Sequence, residues 1–323
     1  MMEMLKRNTA RGAMALMAAV AGLSLCSCEY KEFGDIGSAE KVSVRLHFDW
    51  QAVDSVPSNM RVVFYPEHYE TYARGYTFFD VLNRDTTIQI SKGKYDITSW
   101  NIDTEYVITD GFSRQPTAYA TTGAYSPHGN TTVPAVLDSL FSGQAVLDYP
   151  DYMVHGNLHD IQINNDTIIT VPQDSMVVTV DVRLNGIRHT ELVESMRGAI
   201  NNVAARRYMA YDNRTEEKVA VMFDCNPTDG TDRLTARFWL FGIEPTGGGR
   251  QSHKVVFFVW LQGGQVFIPV DVTDIVARYS RDDKYIVIET KDLNIDLADF
   301  IRSGGMSVDA EDWDSTQEIE ISF

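Results

Sequence analysis

Apolar and polar residues alternate one for one over much of this chain, the spacing of strands with one buried face. Val42, Val44, Leu46 and Phe48 are interleaved with Ser43, Arg45 and His47. Residues 60–65 are apolar almost throughout and end at Pro66, which predicts a more deeply buried strand. Further strands are predicted at 86–90, 95–100 and 105–109, with a turn at Lys92-Gly93-Lys94. Residues 112–135, rich in Thr, Ala, Gly and Pro, predict a long irregular connection with a strand at 117–121. Residues 136–141 fit a single helical turn, and 162–169 a hairpin about Asn164-Asn165-Asp166.

The second half opens on another alternating strand, 176–184. Helical spacing shows only in 190–206, at Leu192, Val193, Met196 and Ile200; Gly198 and Asn201-Asn202 reduce it to a short helix or a loop. Three hairpins are predicted next. The first joins 219–224 to 234–241 across Asn226-Pro227-Thr228-Asp229-Gly230, and the second leads from 238–242 through Gly247-Gly248-Gly249 into 254–261. The third joins 255–261 to 266–270 across Gln262-Gly263-Gly264-Gln265. Residues 285–289 and 318–323 are the last strands; the alternating 318–323 is a candidate for exchange with a partner or an ordinary closing edge. Each half thus holds about seven short strands at sandwich-like spacing, an all-β fold. The turn-prone Val171-Pro172-Gln173-Asp174 divides the chain into an N-terminal β-sandwich, 41–172, and a C-terminal one, 173–323.

The N-terminus breaks the pattern. Lys6, Arg7 and Arg11 outweigh Glu3, and residues 12–25 are then uncharged and apolar. A run of about 14 suits a signal peptide and falls short of the ~20 residues that cross a bilayer. Leu25-Cys26-Ser27-Cys28 resembles a bacterial lipobox, with an aliphatic at −3, a small residue at −1 and then the cysteine. Cys26 fits worse, because Leu25 fills its −1 place. Residues 1–27 are therefore read as a lipoprotein signal peptide and Cys28 as the lipidated (palmitate-bearing) first residue of the mature chain. A plain secretory signal with incidental cysteines is the alternative. Residues 28–40 form a polar tether, and Glu29 and Glu32 beside Lys31 resemble the surface-export signals of Bacteroidota lipoproteins. No later apolar run is long enough to span, so lipid on Cys28 is the expected hold on the outer membrane.

The formal charge of −17 grows more negative once residues 1–27 are gone, which argues against nucleic acid and against a basic grip on anionic lipid. Beyond Cys28 only Cys225 remains, so the mature chain has no intramolecular disulfide, and its stability comes from its core. Cys225 closes an alternating strand and reads as a small buried hydrophobe.

Candidate chemistry is sparse. His155 and His159 have the spacing of a zinc helix but lack its Glu, and Gly156 and Asn157 favour a solvated loop. Asp224, Asn226, Asp229 and Asp232 depart from a calcium-loop pattern, and a hairpin turn explains them; the same holds for Asn101-Ile102-Asp103-Thr104-Glu105. Gly247-Gly248-Gly249 precedes no helix that would hold a phosphate. No nucleophile elbow, Cys/His pair or close carboxylate pair is present. The reading is therefore non-enzymatic, without metal or cofactor. Tyr65, Tyr69, Tyr72, Tyr76, Phe78 and Phe79 could stack on sugars, or serve as sandwich packing. Ser55, Thr86, Ser139, Thr167 and Ser175 each follow an Asp and precede an apolar residue or Thr, which resembles the O-glycosylation sequon of Bacteroidota exported proteins.

Several segments together resemble a known group. They are Phe48-Asp49-Trp50, Met60-Arg61-Val62-Val63-Phe64-Tyr65-Pro66, Gly93-Lys94-Tyr95-Asp96-Ile97 and Trp100-Asn101-Ile102-Asp103-Thr104-Glu105-Tyr106. The second half adds His253-Lys254-Val255-Val256-Phe257-Phe258-Val259-Trp260-Leu261 and Asp271-Val272-Thr273-Asp274-Ile275-Val276. In order and spacing they are similar to uncharacterised Bacteroidota lipoproteins akin to the FimB-type anchor and accessory subunits of fimbriae, within the fimbrillin-like superfamily. The resemblance implies two tandem transthyretin-like, Greek-key β-sandwiches, an outer-membrane lipid anchor, and partnership with fimbrial or other surface subunits through β-strand addition. It brings no catalytic residues. Proteolysis that removes an N-terminal strand from stalk subunits would also remove a lipid on Cys28, so the anchor role fits better than the stalk role. The alternative from a different class is a stand-alone surface lipoprotein that binds a glycan or host ligand.

Overall fold

Where alternation predicts a strand, one generally forms. The computed structural model describes residues 40–67, 75–125, 141, 143–210, 214, 217–226, 228, 230–243, 252–262, 264–280 and 282–302. Strand β1 (Lys41–Ala52) buries Val42, Val44, Leu46 and Phe48 and turns the residues between them outward. Then come β2 (Asn59–Pro66), β3 (Thr77–Leu82), β4 (Thr86–Ser91), β5 (Gly93–Asn101), β6 (Val107–Asp110), β7 (Tyr119–Thr122), β8 (Val146–Asp148), β9 (Val154–Ile163) and β10 (Thr167–Ser175).

Seven of these make one sheet, in the order β3-β2-β5-β9-β10-β1-β4. β1 runs parallel to β10, with Phe48 opposite Val171, and antiparallel to β4. β9 and β10 pair where Asp174 faces His155 and Ser175 faces Val154; toward Asn164-Asn165-Asp166 they part, β9 following β5 and β10 following β1. The sheet's end strands β3 and β4 are joined by the three residues 83–85, which brings the two ends of the sheet near one another at that corner. Its interior is filled by residues including Leu46, Val62, Phe64, Ile97 and Val171.

Val171-Pro172-Gln173-Asp174, expected as a turn, lies inside β10, and the chain leaves this sheet only after Ser175. Pro172 stands opposite Asp49 of β1, just before the register of that pair shifts, and its carbonyl lies close beside Gly156 of β9.

The later elements are β11 (Val178–Asn185), β12 (Ile187–Arg188), β13 (Val193–Ala204), β14 (Arg206–Tyr208), β15 (Lys218–Asp224), β16 (Arg233–Leu240), β17 (Lys254–Leu261), β18 (Gly264–Asp271), helix α1 (Thr273–Val276), β19 (Tyr285–Glu289), β20 (Ile295–Asp296) and helix α2 (Leu297–Arg302). A three-stranded sheet, β16-β11-β19, faces a five-stranded one, β18-β17-β13-β15-β8. Val180, Val182, Phe223, Phe238, Phe257 and Ile286 belong to the core between them. The architecture is all-β, as the alternation predicts.

Three expectations are corrected here. Residues 193–204 are strand β13, preceded by a single 3-10 turn at Thr190–Leu192. β13 lies between β15 and β17 and is buried on both faces from Gly198 to Asn201, which hides the alternation. Asn201-Asn202 forms a bulge against β15, with Asn202 at φ +56°. The hairpins predicted from β15 to β16 and from β16 to β17 do not exist. Each connection instead crosses from one sheet of the sandwich to the other, β16 pairing with β11 and β17 with β13. The third hairpin forms, closing at Leu261 opposite Gly264.

Candidate functional site

A strand at the end of a sheet leaves a row of backbone N–H and C=O groups able to bond another extended chain. Those ends are β3 and β4 in the seven-stranded sheet, β16 and β19 in the sheet β16-β11-β19, β18 and β8 in the five-stranded sheet, the short strands β14 and β6 of a second three-stranded sheet, β14-β7-β6, and β12 and β20, which pair with each other. Their protection differs. On β19, the Tyr279 hydroxyl donates to the Val287 carbonyl at 3.0 Å and accepts from the Val287 N–H at 2.9 Å, which blocks the middle of that edge. On β16, Asn226 donates its N–H to the Thr235 carbonyl at 2.9 Å and its side-chain amide to Thr235 Oγ1 at 3.1 Å.

β3 is braced by a charge pair: Arg61 of β2 donates through Nε and Nη2 to the two oxygens of Asp80, both at 2.7 Å, and lies 4.6 Å from the Phe78 ring centroid. Beside β4, Asp85 sits 2.8 Å from His47 Nδ1 and accepts from Arg45 Nη2 at 2.6 Å. The hydrogen bonds from His47 and then Arg45 hold the Asp85 carboxyl below its ordinary range. β18 carries Pro269 opposite Val256, a residue confined to edges because it has no N–H to give. Among the described residues, β3, β4 and β18 are the edges of six residues or more with no strand or side-chain cap seated on their outer backbone.

The residues singled out from sequence fall in several places. Cys28, the signal segment, most of the tether, Ser139, Tyr69, Tyr72, Asp229, Gly247-Gly248-Gly249, all but Phe141 of the turn expected at 136–141 and the strand expected at 318–323 lie outside the described residues. Ser55 and Thr167 are exposed; Thr86 is half-buried, with Oγ1 donating to the Arg84 carbonyl at 3.0 Å. Ser175 is turned inward, 7% exposed, and donates to the Val177 carbonyl at 2.8 Å, so its hydroxyl is not offered to a glycan. Tyr65 is buried, and Tyr76 and Phe78 pack in the same cluster, so these aromatics serve packing. Phe79 packs edge-on to Phe64 in the neighbouring core.

His155 and His159 lie on strand β9 and not on a loop. His155 is buried with Nδ1 3.2 Å from the Met209 carbonyl, and His159 reaches Asp96 at 3.6 Å. Asp103 fixes a turn, accepting from Ser58 N–H at 2.6 Å and from Asn101 Nδ2 at 3.0 Å. Asp232 accepts through its carbonyl from the Gly186 and Ile187 N–H groups. Cys225 is half-buried against the sandwich core, and burial pushes its thiol well above the ordinary value. Among the described residues, no group of three or more His, Cys, Asp or Glu is placed to hold a metal, and no helix is long and apolar enough to cross a membrane.

Comparison with known proteins adds three findings. A family model described as "Domain of unknown function (DUF5119)" matches residues 27–224. No curated protein matches the sequence. Among solved structures, a candidate adhesin from Bacteroides ovatus is similar over 80% of this chain and 93% of its own, at 17% identity and a TM-score of 0.58. A second candidate adhesin from the same species covers 77% and 87% at 8% identity, with a TM-score of 0.47. The fimbrial anchor protein Mfa2 from Porphyromonas gingivalis covers 77% and 90% at 11% identity, with a TM-score of 0.42. At such identities the likeness to the first of these speaks for the fold.

Proposed function

We propose that this chain, which belongs to the DUF5119 family, is a lipid-anchored structural protein of the outer membrane that holds or accompanies a fimbria-like surface assembly. The observation that carries this reading is Leu25-Cys26-Ser27-Cys28, a lipobox-like motif directly ahead of a polar tether and an all-β body. The family match beginning at residue 27 and the fold shared with a Bacteroides ovatus candidate adhesin support it. Two sandwich modules succeed one another along the chain, changing over just after β10. Partner subunits add an extended segment to an open edge, for which β3, β4 and β18 are the candidates. Backbone hydrogen bonds supply the strength of that pairing, and alternate side chains set its register. The role is non-enzymatic, and Ser55 and Thr167 are the exposed hydroxyls available to O-glycosylation.

The experiment is metabolic labelling with a palmitate analogue in the native host, followed by membrane fractionation and affinity recovery of partners. The wild-type chain is expected to take the label, sediment with outer membrane and bring fimbrial subunits with it. Cys28→Ser is expected to lose label and sedimentation together. An unlabelled, soluble wild-type chain would sink the anchor, and a labelled chain that recovers no fimbrial subunit would sink the assembly role. Peptide mapping that finds 55 and 167 unmodified would remove the glycosylation.

A further inference from the structure

Away from the sheet edges, the loop before β6 and strand β8 meet β13 and β15 around a shallow, open recess whose lining includes buried Met222. Its wall carries Tyr106, Tyr125, Tyr149, Arg197, Asp148 and Asp224. The tyrosines are built into place. Asp151 Oδ2 accepts the N–H groups of Glu105 and Tyr106, both at 2.6 Å, which fixes the loop that presents Tyr106. Tyr149 donates its N–H to the Met222 carbonyl at 3.2 Å and its hydroxyl to Asp224 Oδ2 at 3.3 Å. The Tyr106 and Tyr149 rings stand 6.1 Å apart at 38°, both half-exposed. Burial first, and then Asp224, raise the Tyr149 phenol to about 12, so it stays a neutral hydroxyl. Arg197 bonds the Tyr125 hydroxyl through Nη1, lies 5.7 Å from that ring's centroid, and holds Nε 3.6 Å from Asp224 Oδ1.

The charge pattern selects the ligand. An anion approaching Arg197 would also meet Asp148 and Asp224. A cation would meet the Arg197 guanidinium, which already lies over the Tyr125 face. What suits the recess is a neutral molecule with a flat C–H face for the tyrosines and neighbouring hydroxyls for a carboxylate and a guanidinium. We infer that the recess binds a neutral sugar residue, stacked on Tyr106 and Tyr149 and hydrogen-bonded by Asp224 and Arg197. This site is independent of how the protein is anchored and of which subunits it joins.

The test is titration of the full-length chain with maltotriose, mannotriose and chitotriose, followed by saturation-transfer NMR and calorimetry. Trigalacturonate and choline serve as the charged comparators. At least one neutral trisaccharide is expected to bind with a Kd of about 1 mM or tighter. Tyr106→Ala and Asp224→Ala are expected to weaken that binding by about tenfold or more. Tyr149→Phe, which removes one hydroxyl and keeps the packing, is expected to weaken it by roughly threefold. Circular dichroism melts establish that each variant is folded, and the near-isosteric Asp224→Asn replaces Asp224→Ala if the latter is not. Three results overturn the inference: no neutral probe binding up to about 10 mM, undiminished binding in the folded variants, or a preference for trigalacturonate or choline.

Discussion

Gly198 stands on β13 where an added Cβ would fall 2.0 Å from Phe223 Cε2, and that ring is stacked on Phe238 with centroids 3.8 Å apart. Both rings are buried, so neither can retreat into solvent. Gly198→Ala is expected to cost about 1–3 kcal/mol through overpacking, read as a lower urea midpoint with an unchanged m value. The Tyr279 hydroxyl satisfies both backbone groups of Val287, and Tyr279→Phe removes that partner. The expected loss is about 1–2 kcal/mol, with faster hydrogen exchange at the Val287 amide; unaltered protection would show that the hydroxyl does not guard the edge. Asp85 gives a pH signature of definite sign. Its folded pKa lies below the ordinary 3.8, so its contribution is present above that value and fades as acid carries the pH down through the lowered one. Urea midpoints of the wild type and Asp85→Asn are therefore expected to differ at neutral pH and to converge below 3.8. Nothing in residues 278–280 marks Tyr279 as an edge cap, because its role depends on a strand that follows it and folds back alongside. Tyr106, Tyr149 and Arg197 were equally hidden, coming from three separate stretches that only the sheet brings together.

Strands with one wet face were legible by their alternation, and β2 and β17, buried on both faces, by their unbroken apolar runs; β13 offers neither signal. β1, β2 and β19 show their alternation or apolar run directly, because one face meets solvent or a Pro ends them. β13 reads as broken helix because Gly198, Ala199, Ile200 and Asn201 are all buried, and the bulge at Asn201-Asn202 shifts its register against β15. Turn residues also carry no information about which sheet the chain enters next. Asn226 to Gly230 has the composition of a hairpin, yet it leads from the five-stranded sheet to the three-stranded one. The bulge itself makes a prediction. Asn202 at φ +56° donates Nδ2 to the Ser252 carbonyl at 2.7 Å, and its N–H donates to Gln144 Oε1 at 3.2 Å. Asn202→Gly keeps the backbone at ease and forfeits the side-chain bonds, for an expected loss of about 1 kcal/mol. Asn202→Val adds the left-handed penalty of a β-branched residue, a further ~1–2 kcal/mol. Equal denaturation midpoints for the two variants would show that the conformation at 202 relaxes freely.

The two large cores divide along the chain, one drawn from residues 42–171 and the other from 178–297. A third cluster belongs to both stretches: Val63, Tyr65 and Trp100 pack in it with Met176, Val177, Met209 and Phe241. Backbone pairing crosses as well, since β7 pairs with β14 and β8 with β15. Met209 is central to this junction. Its side chain is fully buried, its N–H donates to the Ala118 carbonyl at 2.9 Å, and its carbonyl accepts from Asn157 Nδ2 at 2.5 Å. Cys225 is the one free cysteine among the described residues, so the coupling between the two stretches rests on packing and hydrogen bonds. Joined in this way, the stretches are expected to melt in a single calorimetric transition. Met209→Ala removes a buried side chain at a cost of about 2–5 kcal/mol. Because the loss falls on the shared cluster and leaves each main core intact, it is expected to split the endotherm as well as lower it. Two transitions already present in the wild type, or a Met209→Ala endotherm that shifts without broadening, would mean that the third cluster does not hold the two stretches to one another.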